Sequence, residues 1–245
     1  MLPRFLRERG ADLDPDDPRT TELRREVIRR KPFLQAIYRE WYDTVAREVS
    51  GTRVLELGSG AGFLPNAITS EILFVRGVDL ICDGTALPVV DGALDAIVLI
   101  DVMHHIAQPR AFFREAIRAL RPGGRVVMIE PWFTPWSRFV YSTVHSEPFR
   151  PDAAEWEFPS TGPLSGANGA MPWIVFVRDR ERFARELPEL RVVTIRPMMP
   201  FRYLLSGGFS VRQLVPSFTF PFFRAVDRAL APLAMFALIV LEREG

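Results

Sequence analysis

Val54-Leu55-Glu56-Leu57-Gly58-Ser59-Gly60-Ala61-Gly62-Phe63 is the stretch that decides the fold. An apolar run with one acid feeds directly into three glycines spaced two apart. Residues 53–57 (RVLEL) read as a short strand buried on both faces. The glycines read as a tight turn, because glycine accepts positive φ and lets a ligand reach the backbone with no Cβ in the way. A helix is expected to begin just after them, with its first N–H groups facing the ligand. A dinucleotide turn, G-x-G-x-x-G, would need glycine at position 63, and Phe63 stands there. A pyrophosphate would also be repelled by Glu56. The bland alternative is a plain strand–turn–helix glycine cluster with no ligand.

Working outward, residues 78–82 (VDLIC), 94–102 (LDAIVLIDV) and 125–130 (RVVMIE) are further near-continuous apolar runs. Between the last two, residues 109–120 place Phe112, Phe113, Ala116, Ile117 and Leu120 on one helical stripe, closed by Arg121-Pro122-Gly123-Gly124. Before the turn, residues 21–49 read as one amphipathic helix carrying Leu34, Ile37, Trp41 and Val45, ended by Gly51. Beyond residue 131 the texture changes. Residues 131–172 are rich in Pro, Trp, Gly and Ser without a clear period. A helix is expected at 179–187, a strand at 191–196 and a closing strand at 235–242, with a Phe-rich excursion at 200–232. Strand–helix–strand alternation predicts an α/β fold with helices on both faces of a mainly parallel sheet.

The E-x-G-x-G-x-G spacing of residues 56–62 resembles the first motif of class I S-adenosylmethionine (SAM)-dependent methyltransferases. Cys82-Asp83-Gly84-Thr85-Ala86-Leu87-Pro88, Asp91-Gly92-Ala93-Leu94-Asp95, Asp101-Val102-Met103-His104-His105-Ile106 and Leu120-Arg121-Pro122-Gly123-Gly124 resemble that family's later motifs in the same order. The resemblance covers residues 53–130. It implies a Rossmann-like fold whose last strand is antiparallel, and SAM as cofactor. A zwitterionic amino acid with a sulfonium also makes sense of Glu56, which a pyrophosphate does not. The cofactor set it implies is Glu56, Gly58, Ser59, Gly60, Gly62, Glu71, Ile72, Asp83, Gly84, Thr85 and Asp101. The family's ribose-binding acid closes the second strand. Asp79 has the expected distance from Glu56, but it lies four residues before Asp83. One short run cannot end two parallel strands, since each needs its own crossover. Residues 68–72 (ITSEI) are therefore expected to be the second strand, which favours Glu71 over Asp79.

Composition narrows the function. The net charge of +1 over 245 residues gives no electrostatic case for nucleic acid. The single Cys82 excludes a disulfide framework and a multi-cysteine zinc site, and with only His104, His105 and His145 no metal site is expected. The first residues turn acidic before any long apolar run, unlike a secretory signal, so a cytoplasmic protein is expected, with peripheral contact at a membrane surface left open. Residues 1–50 are expected to form a helical cap on a 51–245 methyltransferase domain, with acceptor-side segments at about 131–172 and 200–232.

Methyl transfer from a sulfonium is an in-line displacement, so the family has no fixed catalytic constellation to look for. His105 is the candidate base and Glu130 a candidate acceptor-orienting group; packed or loop-stabilising roles are their plain alternatives. Trp132, Trp136, Tyr141, His145 and Glu147 are candidates for an acceptor pocket, with a satellite core as the alternative. Residues 165–169 (SGANG) are expected to close over substrate, and 200–232 to cover a small, lipophilic or aromatic acceptor. A SAM-binding module without turnover is the rival function.

Overall fold

A computed structural model of the chain describes residues 14, 16–60, 64–143 and 147–245. Seven strands form one sheet: β1 (Val54–Leu57), β2 (Ile68–Glu71), β3 (Leu80–Ile81), β4 (Leu94–Ile100), β5 (Leu120–Pro131), β6 (Leu190–Met198) and β7 (Phe236–Arg243). Their spatial order is β3-β2-β1-β4-β5-β7-β6. The first five are parallel, and β7 runs antiparallel to both β5 and β6. This is the expected Rossmann-like arrangement. It places the ends of β1, β2 and β4 along one carboxyl edge, where ligands of open α/β sheets bind.

The central strands read as continuous apolar runs because both their faces are covered. In β4, Ile97 and Leu99 face one layer, while Ala96, Val98 and Ile100 face the other. The first layer contains α3 (Pro109–Ala119), α5 (Met171–Trp173), one π-helical turn (Ile174–Arg178) and α6 (Arg180–Glu186). Its centre is an edge-to-face cluster of Phe113, Phe176 and Phe183. The second layer contains α1 (Pro18–Arg30), α2 (Pro32–Ala46), α4 (Pro135–Thr143) and α7 (Arg202–Ser206). Trp41 is fully buried there between Tyr38, Tyr203 and Phe236. Such a side chain contributes about 2–3 kcal/mol by burial alone.

Four expectations change. The helix expected over 21–49 is two helices. Pro32 has no N–H to donate and drives Lys31 to φ −109°, ψ 92°, breaking the run. The Lys31 ammonium then anchors the joint, donating to the carbonyls of Gly208 at 2.7 Å and of Val211. Second, among the described residues no helix follows the glycine turn, because β2 begins at Ile68, too soon for a helical crossover. The link from β2 to β3 carries no helix, as the choice of residues 68–72 for the second strand leads one to expect. Third, residues 131–172 contain α4, whose Val140 and Tyr141 pack on the sheet. Fourth, the 200–232 excursion folds as α7 and α8 (Phe220–Ala229), held by the Arg202 guanidinium, which binds Asp227 at 2.5 Å and Glu40 at 2.8 Å.

One carboxylate ties the amino ends of β1, β4 and β5 together, away from their carboxyl edge. Asp95 in β4 accepts from the N–H groups of Thr52 and Arg53 and from the Arg53 and Arg121 guanidinium groups. Those partners, Arg53 first, hold its carboxyl well below the usual range.

Candidate functional site

A cavity of about 630 Å³ opens at the carboxyl ends of β1, β2 and β4. Its floor begins with Leu57, Gly58, Ser59 and Gly60. Gly58 has φ +61° and Gly60 φ +46°, and a Cβ on Gly58 would lie 2.6 Å from Val102 Cγ2. Only glycine meets both demands at position 58. The turn is tied to β2 by two bonds: Ser59 N–H to the Ser70 carbonyl at 2.9 Å, and Gly60 N–H to Glu71 Oε1 at 2.8 Å.

Glu71 ends β2, is 5% exposed and lines the cavity beside Ile72. Burial pushes its carboxyl above the ordinary value, while the Gly60 N–H and the charges of Arg25 and Arg24 pull it back. Asp79 does not line the cavity. It accepts from Thr69 N–H at 2.9 Å and Thr69 Oγ at 2.7 Å, pinning the edge between β2 and β3. The next wall is Cys82, Asp83, Gly84 and Thr85. Asp83 Oδ1 accepts from Thr85 N–H and Oγ, both at 2.8 Å, which sets the turn.

Glu56 lies behind the turn and takes the hydroxyl of Tyr42, a cavity-wall residue, on one oxygen. Among the described residues, Glu56 Oε2 and Ser59 Oγ are buried without a hydrogen-bond partner. Burial pushes the Glu56 carboxyl up to about 7, against the Tyr42 bond and with the help of the Glu71 charge. Asp101, at the end of β4, has φ +62° and lines the cavity. Burial pushes it up to about 6, opposed by His104.

His104 and His105 occupy a short 3₁₀ turn after β4 (Met103–His105). Glu130 is fully buried beneath it. The Glu130 carboxylate accepts from Val102 N–H at 2.9 Å, Met103 N–H at 2.7 Å and His104 Nδ1 at 2.7 Å. Glu130 is therefore a clamp on the turn and has no place on the cavity wall. His105 does line the cavity, with Nδ1 on the Gly166 carbonyl at 3.3 Å. Burial, then the His104 charge, lower the His105 imidazole to about 3, whereas Glu130 and Glu147 outweigh burial and raise His104 well above its usual value.

The expected acceptor residues are dispersed. Trp132 packs in the first layer, and Trp136 donates its indole N–H to the Pro200 carbonyl at 3.0 Å. Neither lines the cavity. Trp132 belongs to the core of the first layer and Trp136, on α4, packs against that of the second, so both serve packing, the alternative named above. Tyr141 and Glu147 border a separate small crevice that also touches Asp101. Gly62 and His145 lie outside the described residues. Of residues 165–169, Gly166 holds His105, while Asn168 is a structural link to the 150 backbone and to Ala170 N–H. Of residues 200–232, only Phe209 reaches the cavity.

The sequence reading expected a cap from residues 1–50 and an acceptor-side segment at 131–172 but named none of the residues that form the roof. Thr21, Arg24, Arg25 and Ile28 of α1, Tyr38 and Tyr42 of α2, and Phe158, Ser160 and residues 162–164 close over the floor. Arg25 straps the turn, donating to the Gly60 carbonyl and, at 2.7 Å, to the Arg76 carbonyl. The available signal was the Arg24–Arg25 pair on the polar side of α1. It pointed nowhere until the fold put α1 above Gly60.

Residues 55–128 match the family model of a methyltransferase domain. Over 108 residues the chain is 30% identical to an uncharacterized methyltransferase of Mycolicibacterium gilvum, covering 36% of this chain and 42% of that one. It is 26% identical over 160 residues to a demethylmenaquinone methyltransferase of Beutenbergia cavernae, covering 53% and 65% of the two chains. The match thus spans less than two thirds of either relative. Among solved structures, the geranyl diphosphate C-methyltransferase of Streptomyces coelicolor shares the fold, with a TM-score of 0.53, 14% identity and 96% and 89% of the two chains covered.

Proposed function

We propose, from the premise that residues 55–128 carry a methyltransferase domain, that the chain binds SAM in the main cavity and methylates a small, lipophilic or aromatic acceptor. The observation that carries this reading is the glycine turn with an acid at the end of each adjoining strand, Glu71 on β2 and Asp101 on β4. The residues fit the cofactor. Glu71 suits a ribose diol as acceptor of two hydroxyl hydrogens. Residues 83–85 with Ile72 suit an adenine. The open peptides of Gly58 to Gly60 leave room for the amino-acid moiety, whose positive charges meet Glu56 and Asp101. Arg24 and Arg25 at the rim suit its carboxylate.

Bound SAM supplies a methyl group made electrophilic by its sulfonium. The chain's own work is alignment and exclusion of water. The roof of α1, α2 and residues 158–164 limits solvent access. His105 stands on the wall as an uncharged imidazole, too weak a base to ionise an acceptor, and Glu130 fixes its place through the His104 turn. Ile28, Tyr38, Phe158, Leu164 and Phe209 give the roof an apolar lining, which favours a lipophilic acceptor. The demethylmenaquinone methyltransferase among the relatives fits an acceptor of that kind.

Calorimetry with SAM, S-adenosylhomocysteine and NAD in parallel tests the cofactor. Heat is expected from the first two only, and preference for NAD overturns the reading. Release of S-adenosylhomocysteine over a panel of phenols and quinols tests turnover. Binding with no release on any acceptor supports the rival, a SAM-binding module. A second reading, peripheral membrane contact, is favoured by Phe218 at 83% and Phe222 at 65% exposure near Arg224 on α8. No described helix is long and apolar enough to cross a membrane. Flotation with anionic liposomes should enrich the protein, and absence of enrichment removes that reading.

A further inference from the structure

The two histidines after β4 are oriented in a way that methyl transfer does not require. His104 Nδ1 lies 2.7 Å from Glu130 Oε2, and His105 Nδ1 lies 3.3 Å from the Gly166 carbonyl. Both partners are acceptors, so both Nδ1 atoms carry hydrogen and both Nε2 atoms are turned the other way. Those Nε2 atoms converge on one carboxylate: His104 Nε2 is 3.5 Å from Glu147 Oε2, and His105 Nε2 is 3.9 Å from Glu147 Oε1. One ring nitrogen of each histidine and a Glu147 oxygen lie within 4.8 Å of one another. Without a metal ion, a proton on His104 Nε2 bridges to Glu147; a metal ion would take that proton's place and draw His105 Nε2 into the same group.

We propose that His104, His105 and Glu147 bind a divalent transition-metal ion through the two Nε2 atoms and a Glu147 oxygen. Ligand atoms around a tetrahedral zinc stand roughly 3.3 Å apart, so binding would draw the three groups together from spacings of 3.5 Å to at most 4.8 Å. Glu147, with its side chain 30% exposed, is the least enclosed of the three. The outer contacts are those that hold metal-binding imidazoles: a buried carboxylate behind one ring and a backbone carbonyl behind the other. Two imidazoles and a carboxylate suit zinc, iron(II), cobalt(II) or nickel(II) and disfavour magnesium and calcium. Sequence counting missed the site because only two histidines are used, and the third ligand is 42 residues beyond His105 in the chain.

Three protein ligands leave a coordination position open. His105 lines the main cavity, Glu147 borders the neighbouring crevice, and Asp101 borders both. The ion would therefore stand where the two spaces meet. An acceptor bearing an oxygen donor is the class such a position would recognise. With its lone pair on the metal, His105 would act as a ligand, and the ion would polarise the acceptor oxygen. Metal binding rests on these side chains alone and not on SAM, so it is measured without cofactor.

The test uses the full chain after treatment with a chelator, titrated with cobalt(II) and followed by visible absorption. One equivalent is expected, with the d–d bands of a four- or five-coordinate nitrogen–oxygen site, lost on adding zinc. Glu147→Gln and His105→Ala should each abolish those bands while circular dichroism stays unchanged. Glu130→Gln should weaken binding by about 10- to 100-fold. Absence of the bands in the wild-type protein, or their survival in both Glu147→Gln and His105→Ala, overturns the proposal. So does a titration showing His104 protonated with cobalt in excess. Any of these leaves the calorimetric test of SAM binding untouched.

Discussion

The floor of the cavity is made of backbone, and its roof is made of side chains. The floor is the turn from Gly58 to Gly60 and the turn at Asp83, held by Ser70, Glu71 and Thr85 through short hydrogen bonds. The roof is Arg25, Tyr38, Tyr42, Phe158, Leu164 and Phe209, drawn from four separate segments. A backbone surface offers fixed donors and acceptors and tolerates few substitutions. A side-chain surface can be rebuilt one residue at a time. On the proposed reading the floor would meet the cofactor and the roof the acceptor, so substitutions in the two should separate cofactor binding from acceptor choice.

The sharpest break in that comparison is on the floor. Gly58→Val forces a β-branched residue into positive φ with its Cβ against Val102. Strain of about 1–3 kcal/mol before the clash is counted should cost SAM affinity at least 100-fold. Calorimetry on protein shown to be folded would check it. Next comes a matched pair. Glu71→Ala should weaken SAM binding roughly 10- to 100-fold, the worth of a charge-assisted contact. Asp79→Ala should change it less than about threefold, because Asp79 bonds Thr69 and not the cavity. Equal losses would erase the distinction between them. A smaller effect belongs to the roof: Arg25→Ala should cost about tenfold, or 1.4 kcal/mol, seen as a faster off-rate in stopped flow.

The smallest effect is a pH dependence. The folded value of Glu56, about 7, lies above its ordinary 4.5. Its contribution to the stability of the ligand-free protein is therefore whole below about 4.5 and lost as pH rises through about 7. A cationic ligand favours the ionised form. SAM affinity should thus rise a few-fold from about pH 6 to pH 8, and the rise should vanish in Glu56→Gln.

Much of the floor was legible because it is local. Glycine spacing, the Leu57 terminus and the Asp83 turn lie within a few residues of their own causes. β2 was found by exclusion, since residues 78–82 could not end two strands. That the described residues between Gly60 and β2 hold no helix was not foreseen, because the glycine pattern carries no information about how soon β2 must begin. The roof was illegible for a different reason. Arg25 acquires meaning only from Gly60, 35 residues away, and Lys31 only from Gly208, 177 residues away. Trp132 and Trp136 misled because aromatic content marks a core as well as it marks a pocket. Glu130 misled because a carboxylate that ends a strand can turn inward to hold a loop.

The short connections around β2 have a dynamic consequence. With no helix laid over them, Ile68, Phe74 and Ile81 stay 43–75% exposed, and β3 is two residues long. An edge that buries so little apolar surface breathes at low free energy, and its amides should exchange with deuterated solvent sooner than those of β4 or β5. Glu71 sits on that edge. A nucleoside gripping Glu71 would be knitting the margin of the sheet together as it binds, so part of its affinity is spent on ordering the strand that holds it.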